Sequence, residues 1–137
     1  MKTSLIATLA ALTLATPALA AGDAAKGEKE FNKCKSCHEI VKPDGTVIVK
    51  GGKVGPNLYG VVGMKVAEVP GFAFGDSIKA VGEKGVVWDE AMIAEYVKDP
   101  TAWLKAQTGD AAAKSKMTFK LAKGGEDVAA YLASVAQ

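Results

Sequence analysis

The sequence predicts an all-α fold in which short helices alternate with long loops. The clearest helix lies near the C terminus, where Val128, Tyr131, Leu132 and Val135 recur at the i, i+3, i+4, i+7 spacing of one helix face. Upstream of it, aspartates stand where shorter helices would begin, and glycine-rich stretches separate these segments. With 137 residues, the chain has the length of one domain.

The first predicted helix begins at Asp23, whose side chain suits the N-cap position, and it runs to the two cysteines. Gly27 and Phe31 share one face of this helix, four residues apart. Residues 42–52 are polar and rich in glycine, which predicts a hairpin-like loop. Loops then dominate the chain as far as Gly75.

Two further helices are predicted before the C-terminal one. The first covers residues 76–81. Asp89 caps the second, over residues 90–98, and Pro100 ends it because proline cannot continue a helix. Residues 103–104 indicate another helical turn or two.

Residues 1–20 have the features of a removable signal peptide. Lys2 supplies a positive charge, residues 5–15 form an apolar run, and residues 18–20 form a small-x-small cleavage pattern. A membrane anchor is the alternative, but the run is shorter than the ~20 residues that span a bilayer. We therefore expect residues 21–137 to be exported as one soluble domain, to the periplasm of a bacterium.

The stretch CKSCHE holds the only two cysteines of the chain, Cys34 and Cys37, followed at once by its only histidine, His38. A structural disulfide would leave His38 unexplained, and a thioredoxin-like site would need a strand before the pair, where the pattern is helical. A zinc site would need further Cys or His ligands, which the sequence lacks.

A c-type haem uses all three residues of the motif, since C-x-x-C-H is its attachment signal. On one helical turn, both thiols can reach the porphyrin edge and add to its vinyl groups as thioethers. His38 then presents its imidazole to the iron. Burying the large apolar haem would supply much of the hydrophobic core, at ~25 cal/mol for each Å² of apolar surface removed from water. We predict a largely disordered apoprotein, which a native-like helical circular dichroism spectrum would refute.

The sixth iron position is left to Met, Lys, Tyr, a small ligand or nothing, because only one histidine exists. Met92 lies inside a helical pattern and suits core packing, and Met64 follows a glycine in a loop. Met117 stands in a polar, lysine-rich stretch with few apolar neighbours in sequence. A soft thioether placed there favours a metal ligand.

Motifs along the chain resemble the class I c-type cytochromes, and within them the long form of bacterial cytochrome c2. The residues that carry the resemblance are Cys34-Lys35-Ser36-Cys37-His38, Gly55-Pro56-Asn57-Leu58, Pro70-Gly71-Phe72, Trp88, Tyr96, Pro100, Met117 and Phe119. The loop after the haem motif and the segment 107–114 resemble the long form. The resemblance implies the class I cytochrome c fold, in which short helices and long loops wrap one covalent haem, as a single domain over residues 21–137.

The resemblance also implies the iron ligands. Cys34 and Cys37 would carry the thioethers, and His38 and Met117 would be the axial ligands. The carbonyl of Pro56 would orient the imidazole by accepting from its ring N–H.

Aromatic residues receive roles by the same resemblance. Trp88 would donate to a haem propionate, Tyr96 would lie near the methionine sulfur, and Phe119 would cover the haem edge. The first and last helices would cross where Gly27 meets Tyr131.

Three positions depart from the family pattern around the propionates. Met64 replaces the usual arginine, Phe74 the usual tyrosine, and Ile78 the usual asparagine. A partly buried carboxylate without donors has a raised pKa. We therefore predict a propionate that titrates near neutrality and a reduction potential that depends on pH; a flat potential across neutral pH would contradict this.

The function implied is single-electron transfer, because iron held by His and Met has no open position for a substrate. The formal net charge is only +2, so steering must come from charge asymmetry. Seven lysines near the haem ligands form the predicted docking surface: Lys33, Lys35, Lys105, Lys114, Lys116, Lys120 and Lys123. A merely solvated face is the alternative interpretation of such lysines.

By resemblance, the donor would be the cytochrome bc1 complex, and the acceptor a photosynthetic reaction centre or terminal oxidase. We expect a monomer with no enzymatic activity, no nucleic-acid partner and no membrane insertion. Two other classes stay open from the residues. A gas-binding haem protein would follow if Met117 left the iron free, and a peroxidase-like enzyme would need a distal His or Arg, which the sequence lacks.

Overall fold

The computed structural model describes residues 22–137, and the predicted signal peptide lies outside this range. Five helices dominate the described chain: α1 (Ala24–Glu30), α2 (Asp76–Glu83), α3 (Glu90–Lys98), α4 (Pro100–Thr108) and α5 (Gly125–Val135). Long loops join them, and the predicted fold of short helices and long loops is confirmed. None of the helices in residues 22–137 is long and apolar enough to cross a membrane.

The predicted hairpin-like loop contains a short antiparallel sheet. Strand β1 (Ile40–Val41) pairs with β2 (Val47–Val49), and Ile40 stands opposite Val49. Asn57 fastens this hairpin to the following loop, since its side chain accepts from the Val41 N–H at 3.0 Å and donates to the Val41 carbonyl at 2.8 Å.

Aspartates begin three of the helices, as their side chains satisfy backbone N–H groups that have no partner within the helix. The Asp23 carboxylate accepts from two N–H groups of α1, and the chain continues through a 3-10 turn, Phe31–Lys33, to the first cysteine. The Asp89 carboxylate accepts from the Met92 N–H at 2.7 Å, and α3 has the bounds that the sequence predicts.

The main difference from the sequence prediction is α4, which has nine residues where one or two turns were predicted. Pro100 follows the end of α3, but it is also the first residue of α4. Proline suits that position because its fixed φ is helical and the missing N–H would have no partner there. Asp99 caps α4 by accepting from the Ala102 N–H at 3.0 Å. Helix α2 also ends later than predicted, at Glu83.

The N- and C-terminal helices cross closely, as the resemblance implied. A Cβ atom on Gly27 would overlap the backbone carbonyl of Asp127, so only glycine fits at the crossing. Beside it, the rings of Phe31 and Tyr131 lie 5.7 Å apart. Helix α3 also packs against α5.

Three aromatic rings join α3, α4 and the loop before them into one cluster. Trp103 stacks on Trp88 with ring centroids 5.1 Å apart, and Tyr96 meets both rings edge-on at 5.2 and 5.4 Å. Trp103 is buried in the core. Trp88 and Tyr96 face the cavity that the next section describes, so this cluster forms part of its wall.

Candidate haem site

A deep crevice of about 610 Å³ runs between the segment that follows α1 and the loop that precedes α5. Cys34, Cys37, His38 and Met117 all line it, so the fold brings the four predicted haem ligands together across 83 residues of chain. Most of the remaining wall is apolar. The crevice therefore combines an apolar slot with nitrogen and sulfur donors.

His38 is buried, with only 8% of its surface exposed, and its orientation is fixed. Its Nδ1 lies 2.8 Å from the carbonyl oxygen of Pro56, which can only accept, so Nδ1 carries the proton. Burial lowers the pKa of His38, and the Pro56 hydrogen bond opposes this shift. The ring is therefore neutral at neutral pH, and its unprotonated Nε2 is the nitrogen that can bind a metal.

Backbone hydrogen bonds fix the segment that carries the two cysteines and His38. The N–H groups of Cys37 and His38 both donate to the Cys34 carbonyl, at 3.1 and 2.9 Å, which forms a tight turn. The loop over residues 51–55 then closes against this turn. The Gly52 N–H donates to the Lys35 carbonyl and the Gly55 N–H to the Cys37 carbonyl, both at 2.8 Å.

Glycines make this close approach possible. A Cβ on Gly51 would overlap the His38 carbonyl, and one on Gly55 would stand 2.6 Å from His38 Nδ1. Because no Cβ of an ordinary residue fits at such distances, both positions require glycine. The sequence pattern places Gly51 in a predicted loop and Gly55 in a motif shared with the family, but it does not predict their contact with the histidine.

Neither alternative interpretation of the cysteines is supported by the geometry. The sulfur atoms of Cys34 and Cys37 are not bonded to each other. Burial, then the nearby Glu30 and Cys37, raise the pKa of the Cys34 thiol to about 11, so it stays protonated. In residues 22–137, no three His, Cys, Asp or Glu side chains gather in a way that could hold a metal ion.

Met117 reaches the crevice from a loop that side chains hold in place. The Ser115 hydroxyl accepts from the Met117 N–H at 3.0 Å and lies 3.3 Å from the Tyr96 hydroxyl. The Ser115 N–H donates to the Thr101 hydroxyl at 3.3 Å. Beyond Met117, the Leu121 N–H donates to a carbonyl of α3 at 2.8 Å. Ser115 was not predicted as a site residue.

The same loop is also joined to the opposite rim of the crevice. The Lys114 N–H donates to the Ser77 hydroxyl at 3.0 Å, and Lys116 Nζ donates to the Ala73 carbonyl at 3.2 Å. Ala73 lies in the loop before α2, and Ser77 is the second residue of that helix. Two short polar contacts therefore bridge the rims near Met117.

The predicted aromatic residues all line the crevice. Trp88 lines the crevice, whereas the buried indole N–H without a hydrogen-bond partner in the described chain belongs to Trp103, which does not line it. Burial raises the pKa of Tyr96, so its hydroxyl stays protonated at neutral pH. Phe119 is 41% exposed at the rim. Of the alternative methionines, Met64 lines the crevice and Met92 packs against the core.

The three residues that depart from the family pattern all line the crevice and supply no hydrogen-bond donor to it. Met64, Phe74 and Ile78 form part of its wall. Lys65 also lies there, but its Nζ pairs with the Glu68 carboxylate at 2.8 Å. The pH-dependent potential stays a prediction, and this pairing leaves Lys65 less available to a propionate.

All seven lysines of the predicted docking surface are exposed, but they are not electrically equivalent. Lys33 pairs with Glu30 at 2.6 Å, and Lys120 pairs with Asp99 at 2.7 Å. The other five form no ion pair within the described chain: Lys35, Lys105, Lys114, Lys116 and Lys123. Of the seven, Lys33, Lys114 and Lys116 line the crevice, and the other four do not.

The donor set fits a covalently held haem. Two thiols stand one helical turn apart, a neutral imidazole offers Nε2, and a thioether reaches the crevice from a different loop. An apolar cavity of this volume suits a large flat macrocycle.

Known proteins resemble the chain over nearly its whole length, although no protein-family model matches it. It is 65% identical to cytochrome c-550 of Paracoccus versutus, over 97% of this chain and 88% of that protein. It is 66% identical to cytochrome c2 of Rhodobacter capsulatus, over 98% of both chains.

Solved structures show the same similarity in three dimensions. Cytochrome c2 from Rhodobacter capsulatus superposes with a TM-score of 0.84 at 66% identity, over 85% of this chain and 100% of the other. Ferric cytochrome c-550 from Paracoccus versutus superposes with a TM-score of 0.82 at 64% identity, over 85% and 99% of the two chains.

Proposed function

Because this chain belongs to the class I c-type cytochromes, close to bacterial cytochrome c2, we propose that it shuttles single electrons between redox complexes in the periplasm. The cofactor of this family is one covalently attached haem c, which supplies a ferric/ferrous couple. The observation that carries the proposal is the convergence of His38 and Met117 on one crevice, beside the two cysteines.

Each of these side chains has a distinct task in the proposal. Cys34 and Cys37 tether the haem as thioethers, while His38 Nε2 and the Met117 sulfur bind the iron. The Pro56 carbonyl, 2.8 Å from Nδ1, holds the ring proton on that nitrogen and leaves Nε2 for the metal. Methionine raises the reduction potential relative to a second nitrogen ligand.

Two protein ligands also explain why we propose a carrier and not an enzyme. When both axial positions are filled, the iron has no site for a substrate or for oxygen. The largely apolar crevice wall would exclude water from a bound haem and so lower the solvent reorganisation of electron transfer. Trp88 would donate its indole N–H to a propionate, and Phe119, which lies exposed at the rim, would cover the haem edge.

The proposed docking surface surrounds that edge. Exposed lysines on both rims would attract acidic partners and raise association rates in a salt-sensitive way. We propose the cytochrome bc1 complex as the donor and a photosynthetic reaction centre or a terminal oxidase as the acceptor. Export by residues 1–20 would place the mature protein, as a monomer, between these complexes.

One optical experiment on the purified holoprotein tests the ligation. The ferric spectrum should show the weak far-red band of iron bonded to methionine sulfur, and carbon monoxide should leave the ferrous spectrum unchanged. Met117→Leu should abolish the band and admit carbon monoxide. Met64→Leu is the matched control, because Met64 lines the same crevice, and it should keep the band.

The alternative classes give different results. A wild-type protein that lacks the band and binds carbon monoxide would be a gas-binding haem protein. A protein whose band survives Met117→Leu would use another sixth ligand. Either result would overturn the proposed ligation.

A further inference from the structure

Ser115 is the point where three parts of the protein meet beside Met117. Its hydroxyl accepts from the Met117 N–H at 3.0 Å and contacts the Tyr96 hydroxyl of α3 at 3.3 Å. Its own N–H donates to the Thr101 hydroxyl of α4 at 3.3 Å. One small residue therefore ties the methionine to two helices.

The direction of these hydrogen bonds follows from the chemistry of the groups. A phenol is the better donor and an aliphatic hydroxyl the better acceptor, so Tyr96 donates to Ser115. The Ser115 oxygen has two lone pairs, and the Met117 N–H and the Tyr96 hydroxyl use both. Replacing this oxygen leaves two half-buried donors without partners, which makes the loss costly.

Other contacts of the loop cannot replace this link. Lys114 and Lys116 fasten the loop to the opposite rim, at Ser77 and Ala73, and neither partner belongs to α3 or α4. The nearest backbone tie to α3 is the Leu121 N–H, four residues beyond Met117. Over residues 111–119, the hydrogen bonds to α3 and α4 all pass through Ser115. The next contact in this direction is the Lys120 ammonium, which pairs with Asp99, the N-cap of α4, at 2.7 Å.

We propose that Ser115 is a positioning residue that holds Met117 against the iron by joining it to Tyr96 and Thr101. The inference rests on the proposed ligation by Met117. Without the Ser115 hydroxyl, the methionine loop should open locally while the helices stay folded. The fraction of molecules with a free sixth position should then rise.

Binding of imidazole to the ferric holoprotein measures this fraction, because imidazole must displace Met117. Its apparent affinity is proportional to the population of the open state. Loss of the Ser115 hydrogen bonds should make Ser115→Ala bind imidazole about tenfold more tightly. Ser115→Thr keeps the hydroxyl and should stay within about twofold of the wild type.

Ser77→Ala is the matched control. It also removes a hydroxyl that accepts a hydrogen bond from this loop, donated by the Lys114 N–H at 3.0 Å, but the loop keeps its link to α3 and α4. We expect an imidazole affinity within about twofold of the wild type. Tyr96→Phe made alone should strengthen imidazole binding about threefold. The same substitution added to Ser115→Ala should have no further effect, because Tyr96 acts through Ser115.

Urea unfolding followed by far-ultraviolet circular dichroism separates positioning from general destabilisation. The inference is overturned if Ser115→Ala and Ser77→Ala bind imidazole equally well, or if the affinity change follows the helix unfolding midpoint. It is also overturned if Tyr96→Phe and Ser115→Ala have additive effects. Absence of the sulfur–iron band in the wild type would contradict the proposed ligation instead, so the two failures are distinguishable.

Discussion

The two faces of the crevice are held by different kinds of contact. On the histidine face, residues 34–38 and 51–58 are joined through backbone N–H and carbonyl groups, and glycines allow the close approach. On the methionine face, hydroxyls and lysines hold residues 109–121, with one backbone tie to α3 at its end.

This difference has an energetic consequence. Backbone contacts are short, numerous and independent of side-chain rotamers, so the histidine face should open only with global unfolding. Side-chain contacts cost rotamer entropy and are partly exposed, so the methionine face should open at lower free energy. The ligand that sets the potential therefore lies on the face that mutation can adjust most easily.

The largest expected effect comes from a matched pair of glycine substitutions. A Cβ on Gly55 would stand 2.6 Å from Nδ1 and 2.8 Å from Nε2 of His38, whereas one on Gly75 would meet only the Lys116 side chain at 3.4 Å or more. Gly55→Ala should displace the imidazole and cost at least the ~1–3 kcal/mol of an overpacked site. Gly75→Ala should change the free energy of unfolding by less than about 1 kcal/mol.

The measurement is the yield of haem-loaded protein together with urea unfolding of both variants. Gly75 has φ −72°, which alanine adopts freely, so backbone strain does not complicate the control. Equal stability of the two holoproteins would mean that the histidine face can accommodate an extra methyl group. It would then contradict the proposed difference between the two faces.

A smaller effect is expected for the ion pair that anchors the chain beyond Met117. The Lys120 ammonium, and then the Ala102 N–H, hold the pKa of Asp99 below its usual range. Folding therefore favours the ionised carboxylate. The resulting stability is complete above the ordinary aspartate pKa and is lost as pH falls through the lower, folded-state value.

Asp99→Asn keeps an N-cap side chain but removes the charge. Its thermal midpoint should lie below that of the wild type at pH 7, and the difference should shrink towards pH 3. Lys120→Gln should reproduce this pattern, since it removes the other partner. A midpoint difference that grows on acidification would contradict the assignment.

The smallest effects concern the docking surface. Lys35 and Lys114 are unpaired within the described chain, whereas Lys33 and Lys120 already have acidic partners. At low salt, neutralising Lys35 or Lys114 to Gln should slow association with an acidic redox partner by about twofold to threefold. Neutralising Lys33 should change the rate less, because the Glu30 carboxylate already engages its ammonium and keeps it from contacting an acidic partner.

Stopped-flow rates across a salt series measure this difference. Equal losses for Lys33→Gln and Lys114→Gln would show that the ion pair does not persist in solution. Rates that do not depend on salt would contradict electrostatic docking altogether.

Local signals predicted the helices well, and contacts distant in sequence explain the misses. Asp89 gave the start of α3, since capping is a local interaction. Pro100 was interpreted as the end of one helix, but it also begins the next. Whether a new helix begins at Pro100 depends on Asp99, which caps α4 and also pairs with Lys120, 21 residues away.

Within the site, chemically distinctive residues were predictable and supporting ones were not. The cysteines, His38 and Met117 have side chains with few alternative explanations. Ser115 carries one local signal, since a serine that accepts from the N–H two residues on is a common turn. Its contact with Tyr96 spans 19 residues and appears only in the folded chain.

The most direct test of the contrast between the two faces is one urea titration of the ferric holoprotein, followed by two probes in the same sample. We predict that the sulfur–iron band disappears at a lower urea concentration than the helical circular dichroism signal, because the methionine face opens first. A band that is lost together with the helices, or only after them, would contradict the account.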